Sequence, residues 1–383
     1  MSIGLHEVGA GSMDDVTAYP RLVGDVGGTN ARFALEMAPM RLAHIGVLAG
    51  DDYPSLEAAM RAYLASLPPE IATAGVRHAA IGIANPVLGD QIRMTNRDWA
   101  FSTEAMRQSL GFDTLVVLND FAALAHALPY LSAEELEQVG GGTCAADAPR
   151  ALLGPGTGLG VASLLPTPDG RFIAVAGEGG HVAFAPMNDE EVAIWRFARE
   201  RFGHVSAERL ISGMGLELIY EALGACFDLW QQGPAVRRAA DITAIALGEM
   251  DDTAGDHARC RYAVDTFCAM LGTVAANLAV TLGARGGVYI GGGIVPRLGA
   301  AFANSPFRRR FEDKGRFSGY VSAMPVYVIH SPYPGLIGLC AAMDHAVANG
   351  HRNPRGRPTQ AYRSGRPRSP CAAPFPAPAH PAR

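Results

Sequence analysis

The sequence predicts an α/β protein built from two domains with a cleft between them. The first observation is the segment RLVGDVGGTNARFAL, residues 21–35, in which two apolar runs of strand type flank a Gly-Gly turn. The second is RALLGPGTGLGVASLL, residues 150–165, which repeats this strand, glycine loop, strand pattern. The third is the length of 383 residues, which allows two domains that each bury a core. Two halves that begin alike indicate a duplicated architecture.

Composition changes predict where these domains begin and end. The first residues are polar and rich in glycine, and the segment from His351 onward contains eight prolines, seven arginines and no acid, so neither end is expected to pack. We expect a disordered extension at 1–19, a small α/β domain at 20–130 completed by a C-terminal helix at 335–349, a large α/β domain at 131–334, and a disordered Pro/Arg-rich tail at 350–383.

Periodicity and turn residues predict the elements in order. The segment SLEAAMRAYLASL is typical of a helix, with Ser55 as its cap and apolar residues at helical spacing. Buried strands are predicted for HAAIGIAN (78–85), TLVVLND (114–120), GVYIGGGI (287–294) and PVYVIH (325–330), and helices for SAERLISGMGLELIYEAL (206–223) and CRYAVDTFCAMLGTVAANLAVTLGA (260–284). The last of these segments is interrupted by Asn277, threonines and glycines, which favours a buried helix over a membrane span.

Charge and cysteine usage exclude several classes of protein. The formal net charge of −5 gives no basic footprint for nucleic acid. The six cysteines are scattered without a C-x-x-C pair, which argues against a disulfide framework and a zinc site. The N-terminus has no basic head followed by an apolar run, so no secretory signal is expected. These features favour a cytoplasmic protein with reduced thiols that binds neither nucleic acid nor a membrane.

Three glycine clusters, at 24–30, 154–160 and 291–293, could approach phosphate groups through their backbone amides. One such cluster taken alone is more often an ordinary turn. A Walker loop is excluded because the single lysine, Lys314, follows no glycine loop, and the spacing of a dinucleotide fingerprint is absent. Phosphate charge would then be balanced by Mg²⁺, held by Asp25 through water, with Thr29, Thr157 and backbone amides as donors.

Several polar residues could line a ligand site, and each also has a structural explanation. Asn119 and Asp120 end a predicted strand, where open α/β sheets bind ligands, but the same pair could simply cap the next helix. Glu178 and His181 lie in GEGGH, which could be a surface turn; a metal site there has too few ligands nearby. Glu208 lies where a first-turn acid stabilises a helix dipole.

Six blocks of the chain together resemble a known family. LVGDVGGTNARFAL, VLNDFAALAHALP, GPGTGLGVA, GEGGHVAFAP, GHVSAERLISGMGL and GGVYIGGGIVPRL occur in order between residues 22 and 348. They closely resemble the bacterial glucokinases of the hexokinase-like type, which have a two-domain actin-like ATPase (ribonuclease H-like) fold. The zinc-binding cysteine cluster of the other large bacterial glucokinase group, the repressor–open-reading-frame–kinase proteins, is missing from this sequence.

This resemblance implies ATP-dependent phosphorylation of glucose at its 6-hydroxyl, giving glucose 6-phosphate and ADP in the first step of glycolysis, by a homodimer. It makes Asp120 the catalytic base and places glucose against Asn119, Asp120, Glu178, His181 and Glu208. It places ATP, with Mg²⁺ near Asp25, against Gly24, Asp25, Val26, Gly27, Gly28, Thr29, Asn30, Gly156, Thr157, Gly158, Gly291, Gly292 and Gly293.

Other functions stay open at the level of the sequence. A kinase for another hexose or an N-acetylated hexose would have the same fold, and a non-catalytic sugar sensor or chaperone-like ATPase is a second alternative. The presence of Asp120 argues against a dead enzyme, and GEGGH argues against the chaperones. An NAD oxidoreductase is disfavoured by the missing fingerprint. Asn85 and Ala183 depart from the family's blocks, with an effect that the sequence does not predict.

Overall fold

The structure is a computed structural model that describes residues 19–95 and 97–350, without the side chains at 72–74 and 348–350. The predicted N-terminal extension and Pro/Arg-rich tail lie outside the described residues, apart from residues 19 and 350.

The first sheet contains the opening hairpin. Its strands and those of a neighbouring two-stranded ribbon are β1 (Arg21–Val26), β2 (Asn30–Ala38), β3 (Arg41–Ala49), β4 (His78–Ile83), β5 (Gln91–Arg93), β6 (Ala100–Ser102) and β7 (Thr114–Asn119). The sheet order is β3-β2-β1-β4-β7, with β1 antiparallel to β2 and parallel to β4, while β5 and β6 form the ribbon. The accompanying helices are α1 (Leu56–Ala65), α2 (Pro69–Ala74), α3 (Thr103–Leu110) and α4 (Asp120–Ala127).

The second sheet contains the second hairpin. Its strands are β8 (Leu136–Gln138), β9 (Arg150–Pro155), β10 (Leu159–Pro166), β11 (Phe172–Gly177), β12 (Val288–Ile290) and β13 (Val326–Ile329), in the order β11-β10-β9-β12-β13-β8. The remaining helices are α5 (Asp189–Phe202), α6 (Ala207–Leu210), α7 (Gly213–Cys226), α8 (Ala239–Ala246), α9 (His257–Leu282), α10 (Ile294–Leu298), α11 (Ala300–Ala303), α12 (Phe307–Glu312), α13 (Ser318–Ser322) and α14 (Pro334–Gly350).

The predicted repetition is present in both sheets. Residues Arg21–Val26 pair with the antiparallel strand that follows the Gly27-Gly28 turn, and β9 pairs with β10 in the same way across Gly156–Gly158. In each sheet the first strand of the hairpin then has a parallel neighbour, β4 for β1 and β12 for β9. The two halves therefore present equivalent glycine turns at the same end of equivalent strands.

Helix α4 lies between the two sheets and positions the cleft. On one face, Ala123 packs with Val23 of β1 and Leu339 of α14. On the other face, Leu124 packs with Leu152 of β9 and Tyr289 of β12. Helix α14 thus returns to the first sheet, as the sequence predicted. Helix α4 contacts both sheets, so its packing does not assign it to one domain. The domain boundary at 130/131 stays a prediction.

Two other sequence predictions concern helices. The apolar segment that begins at Cys260 lies in helix α9. Among the described residues, α9 is the one helix with the length and apolar composition needed to cross a membrane. However, 78% of its most apolar 18-residue stretch is buried inside the protein. It is a core helix, as predicted. The segment 206–223 is not one helix: α6 ends at Leu210, and Ser212 starts α7 by accepting a hydrogen bond from the amide of Gly215 at 3.1 Å.

Candidate active site

A cavity of about 730 Å³ opens between the two sheets. It brings together residues from the end of β7, the second glycine hairpin, the GEGGH segment and α6. The sequence-predicted residues that line it are Asn119, Asp120, Gly156, Thr157, Gly158, Glu178, His181, Glu208 and Gly292. All five predicted sugar ligands therefore lie in one cavity, although they come from three separate parts of the chain.

Asp120 begins helix α4 at the inner wall of this cavity. Its Oδ1 accepts a hydrogen bond from the amide of Phe121 at 2.9 Å, which orients the carboxylate at the helix N-terminus. Burial raises the pKa of Asp120 to about 6, and the nearby charges of Asp25 and Glu178 add to the increase, although the Phe121 hydrogen bond opposes it. A carboxylate with this pKa is a better proton acceptor than an ordinary aspartate and is still ionised at neutral pH.

Asn119 caps the following helix, one of the two roles that the sequence left open, and its ligand-binding role stays a prediction. Its Oδ1 accepts hydrogen bonds from the amides of Phe121 at 3.0 Å and Ala122 at 3.1 Å, so it caps α4. Its Nδ2 donates to Oδ1 of Asp120 at 3.0 Å and lies 3.5 Å from the carbonyl oxygen of Asn85. Asn119 therefore caps α4, holds the carboxylate of Asp120 in place and lines the cavity.

The GEGGH segment forms a tight turn after β11, and its glycines explain its position. A Cβ on Gly180 would overlap the carbonyl oxygen of Leu159, so the turn packs directly on β10. Glu178 and His181 flank this turn with side chains that are 59% and 62% exposed, within an open cleft. His181 Nε2 lies 3.9 Å from a carboxylate oxygen of Glu178, and its Nδ1 lies 4.0 Å from one of Glu208. These three side chains present several donors and acceptors to one ligand.

Glu208 links this sugar-side cluster to the second glycine hairpin. It lies in the first turn of α6, which is capped by Ser206, as the sequence suggested. Its Oε2 also accepts a hydrogen bond from the amide of Leu159 at 2.9 Å, immediately after the glycine turn. A Cβ on Gly158 would come within 2.5 Å of the same oxygen. Glycine at 158 is therefore required for the acid to approach the hairpin.

The first glycine hairpin is placed differently from the second. Among the described residues, the cavity lining does not include 24–30. Gly24 and Val26 lie inside β1 and are buried in the core. Gly28, Thr29 and Asn30 form the exposed tip of the hairpin. The amide of Ala84, a cavity-lining residue, donates to the carbonyl oxygen of Val26 at 3.3 Å, so the hairpin lies at the edge of the cavity.

Asp25 is the residue proposed to hold a metal, and it is paired with an arginine. Arg32 lies opposite Asp25 in the hairpin register, with Nη1 3.7 Å from Oδ2 of Asp25. Burial raises the pKa of Asp25, and the charge of Arg32 opposes this increase. Among the described residues no group of three potential metal ligands exists. A single carboxylate near a phosphate site does fit Mg²⁺, which retains waters and takes further oxygens from the substrate phosphates.

The third glycine cluster follows β12 and borders a second, more apolar cavity of about 430 Å³. Gly292 has φ +78°, and a Cβ there would overlap the carbonyl oxygen of Pro155, so glycine is required for β12 to turn against the second hairpin. Gly291 is buried against Leu124. The apolar cavity is lined by Gly156, Thr157, Gly213, Met214, Leu216, Glu217, Ala239, Ala240, Thr243, Gly293, Ile294 and Arg297.

Sequence reasoning missed several residues of the site. Phe121 lies between the domains: a Cβ on Gly160 would overlap its ring, and one on Gly154 would come within 2.7 Å of it. Thr95 lines the cavity, and its amide donates to Oδ1 of Asn85 at 3.0 Å, so Asn85 supports the cavity wall. Ala183 forms an isolated antiparallel bridge with Ser206, which joins the GEGGH segment to α6.

Comparisons with known proteins agree with this geometry. The family model described as Glucokinase matches residues 22–346. A glucokinase of Ralstonia nicotianae is 96% identical over 341 residues, which is 89% of this chain and 100% of the relative. A glucokinase of Chromobacterium violaceum is 54% identical, covering 94% of this chain and 97% of the relative. The crystal structure of a glucokinase from an Antarctic psychrotroph superposes with a TM-score of 0.75 at 34% identity, covering 85% of this chain and 99% of that chain.

Proposed function

This chain belongs to the glucokinase family, and from that premise we propose which of its residues perform the reaction and how. The protein is an ATP-dependent glucose kinase with the two-domain fold of the actin-like ATPase class that the sequence predicted. The observation that supports our residue assignment is the position of Asp120 in the cavity shared by all five predicted sugar ligands and the second glycine hairpin.

Asp120 is the general base in this proposal. As the oxygen of the glucose 6-hydroxyl attacks the γ-phosphorus of ATP, its proton passes to the Asp120 carboxylate, the bond between the γ-phosphorus and the bridging oxygen breaks, and ADP leaves. The transition state of phosphoryl transfer is largely dissociative, so the hydroxyl does not have to lose its proton early. A base with a pKa of about 6 is sufficient for that late transfer.

Asn119, Glu178, His181 and Glu208 orient the sugar in this proposal. Each sugar hydroxyl both donates and accepts hydrogen bonds, so recognition requires carboxylates, amides and imidazole nitrogens directed at one volume. The exposed positions of Glu178 and His181 leave both side chains free to meet an entering ligand. Glu208, which is 28% exposed, holds the inner position next to the second hairpin.

The glycine clusters bind ATP in this proposal. The triphosphate lies between the tips Gly27–Asn30 and Gly156–Gly158, and the adenosine occupies the apolar cavity beside Gly291–Gly293. Asp25 is the residue that would hold Mg²⁺ through water. The chemistry that Mg²⁺ would supply there is neutralisation of the charge that develops on the phosphates during transfer. Thr29, Thr157 and the backbone amides donate hydrogen bonds to the phosphates.

Sugar binding draws the two sheets together in this proposal. The five sugar ligands belong to both sides of the cavity, so a bound sugar contacts both, and closure excludes water that would otherwise accept the phosphoryl group. Glucose should therefore reduce the radius of gyration in small-angle scattering, and the ATPase activity without sugar should be weak. An unchanged scattering profile would contradict closure.

The function is tested by a sugar panel with a coupled ADP assay. Glucose, mannose, fructose and N-acetylglucosamine are compared at equal concentration, and we expect glucose to give the highest kcat/KM. The product is analysed by NMR to locate the phosphate, which we expect at the 6-position. A higher kcat/KM for another sugar than for glucose would indicate the alternative function, a kinase for another hexose. If no sugar increased ADP release, the protein would be a sugar sensor.

Assembly and location are also part of the proposal. We propose a homodimer that acts in the cytoplasm, as the resemblance implied. Light scattering coupled to size-exclusion chromatography measures the mass directly: a dimer has twice the chain mass of 40.2 kDa.

A further inference from the structure

Arg97 is a buried cation that contacts the tip of the first glycine hairpin. Its side chain is only 6% exposed. Its Nη2 donates a hydrogen bond to the carbonyl oxygen of Gly28 at 2.6 Å, across 69 residues of sequence. Its guanidinium lies 4.4 Å from the centroid of the Trp99 ring. Trp99 is itself fixed, because its Nε1 donates to the carbonyl oxygen of Tyr53 at 3.1 Å.

The charge of Arg97 is not matched by a close ion pair. The nearest carboxylate oxygen, Oδ1 of Asp51, is 3.7 Å away on a side chain that is 92% exposed. The Nε and Nη1 of Arg97 are buried without a hydrogen-bond partner among the described residues. Burying a guanidinium is costly unless its donors are satisfied. Stability alone does not explain this placement, which indicates a role for the contact with Gly28.

The neighbouring backbone is adapted to this contact. A Cβ on Gly50 would overlap the guanidinium of Arg97, so a glycine is required there for the side chain to reach Gly28. The amide of Gly50 also donates to the carbonyl oxygen of Thr29 at 2.9 Å. Arg97 and Gly50 therefore hold two successive carbonyl groups of the hairpin tip, and in doing so they direct the tip's remaining backbone groups.

The loop that contains Arg97 also lines the sugar side of the cavity. Thr95 is part of the cavity wall, and its amide donates to Oδ1 of Asn85 at 3.0 Å. The carbonyl oxygen of Asn85 lies 3.5 Å from Nδ2 of Asn119, next to the catalytic carboxylate. Contacts thus run from Asn119 through Asn85 to Thr95, and Arg97, two residues further along the chain, contacts the hairpin tip.

We propose that Arg97 is a positioning residue that couples sugar binding to the arrangement of the phosphate-binding hairpin. A sugar that contacts Asn119 and Thr95 restrains Thr95, and Arg97, two residues further along the chain, transmits this restraint to Gly28. The inference rests on the proposed role of the first hairpin in ATP binding. It concerns the dependence of one substrate's affinity on the other, which is a reciprocal coupling between two sites.

The test measures that coupling directly by calorimetry. The dissociation constant of Mg²⁺ with the non-hydrolysable analogue AMP-PNP is measured with and without saturating glucose, for the wild type and for Arg97→Met. Coupled sites typically change each other's affinity by about 5–150-fold. In the wild type, we expect glucose to change the dissociation constant of AMP-PNP by a factor in this range. In Arg97→Met, we expect this factor to lie within about twofold of one, while the affinity for glucose alone is unchanged. In steady state, KM for ATP should increase more than KM for glucose.

Three further variants separate positioning from folding. Gly50→Ala keeps Arg97 but displaces its guanidinium, so it should lose coupling like Arg97→Met. Arg97→Lys keeps the charge without the planar fork and should restore coupling only partly. Arg93→Gln removes an exposed arginine from neighbouring β5 and should keep the wild-type coupling factor.

The outcomes distinguish this inference from the proposed function. An equal coupling factor in the wild type and in both Arg97→Met and Gly50→Ala would overturn the inference while sugar phosphorylation remains. A wild-type coupling factor of one would also overturn it. A wild type that binds no AMP-PNP at all would overturn the proposed function together with the inference. If Arg97→Met does not fold, as judged by its thermal transition, Gly50→Ala decides.

Discussion

The two glycine hairpins have the same strand pairing but are held by groups of opposite charge. At the first tip, Arg97 and the amide of Gly50 donate to the carbonyl oxygens of Gly28 and Thr29. At the second tip, the carboxylate of Glu208 accepts from the amide of Leu159. One hairpin is therefore held through its acceptors by a cation, and the other through a donor by an anion.

This difference follows from what each hairpin is near. The first hairpin contains its own carboxylate, Asp25, so a cation near its tip limits the negative charge where we propose that the phosphates bind. The second hairpin contains no acid in GPGTGLG and borders the proposed sugar ligands, one of which, Glu208, supports it. The two equivalent turns thus have different connections to the proposed sugar site, one through Arg97 and one through Glu208.

The largest effect is expected at the residue that neither hairpin supplies. Asp120→Ala removes the proposed base and should lower kcat by about 10²–10⁴-fold, the range typical of general-base catalysis. Both hairpins remain, so the affinity for the ATP analogue should be close to that of the wild type. Quenched-flow or coupled ADP assays measure kcat, and calorimetry measures nucleotide binding. Near-normal turnover would remove Asp120 from this role.

The next effect distinguishes the second hairpin from the first. Glu208→Gln keeps the side-chain size but replaces the charge-assisted hydrogen bond to Leu159, which is worth about 1.5–3 kcal/mol. Because Glu208 contacts both the proposed sugar site and the hairpin, the KM values for glucose and ATP should both increase about tenfold or more. Glu178→Gln is the matched control, since Glu178 has no hydrogen bond to either hairpin among the described contacts. It should increase only the KM for glucose, and equal behaviour of the two variants would contradict the proposed link.

A steric change in the second hairpin should cost stability and alter the domain contact. A Cβ at Gly160 would overlap the ring of Phe121 on α4, and overpacking of this kind typically costs about 1–3 kcal/mol. Gly24→Ala makes a comparable clash with Phe33, but inside the first sheet's own core. Gly89→Ala, which meets nothing within 4 Å, is the neutral control.

Denaturant titration measures the free energy of unfolding of each of the three variants. Their kcat is measured under conditions in which all three are folded. Both core variants should be destabilised, but only Gly160→Ala should also lower kcat, because Phe121 follows Asp120 directly. If Gly24→Ala lowered kcat equally, the domain contact at Phe121 would not matter to catalysis.

The sequence predicted the hairpins, the cleft and the position of Asn119 and Asp120 because those features are local or lie at strand ends, whereas Glu178, His181 and Glu208 were assigned through the family resemblance. Arg32 could have been found as well, since Asp25 and Arg32 lie two residues before and two residues after the turn at 27–30, which pairs them across the hairpin. Arg97 could not, because the contact between Arg97 and Gly28 depends on how the segment after β5 folds back over the end of β3. The position of Phe121 between Gly154 and Gly160 likewise depends on the packing of α4 between two sheets.

The smallest effect is a shift in the pH dependence of kcat/KM, which reports on both hairpins at once. Asp120 acts as a base when ionised, so with a pKa of about 6 in the free protein we expect kcat/KM to fall about twofold between pH 7.5 and 6, about fivefold between pH 6 and 5, and close to tenfold for each further unit. The charges of Asp25, in the first hairpin, and of Glu178, beside the second, both raise this pKa, with Asp25 the larger contributor. Removing either charge favours the ionised carboxylate, so Asp25→Asn should move the acid limb to lower pH, and Glu178→Gln should move it less. A limb that stays in place in Asp25→Asn would show that the first hairpin's acid does not face the catalytic carboxylate, and the comparison between the hairpins would have to be redrawn around the second alone.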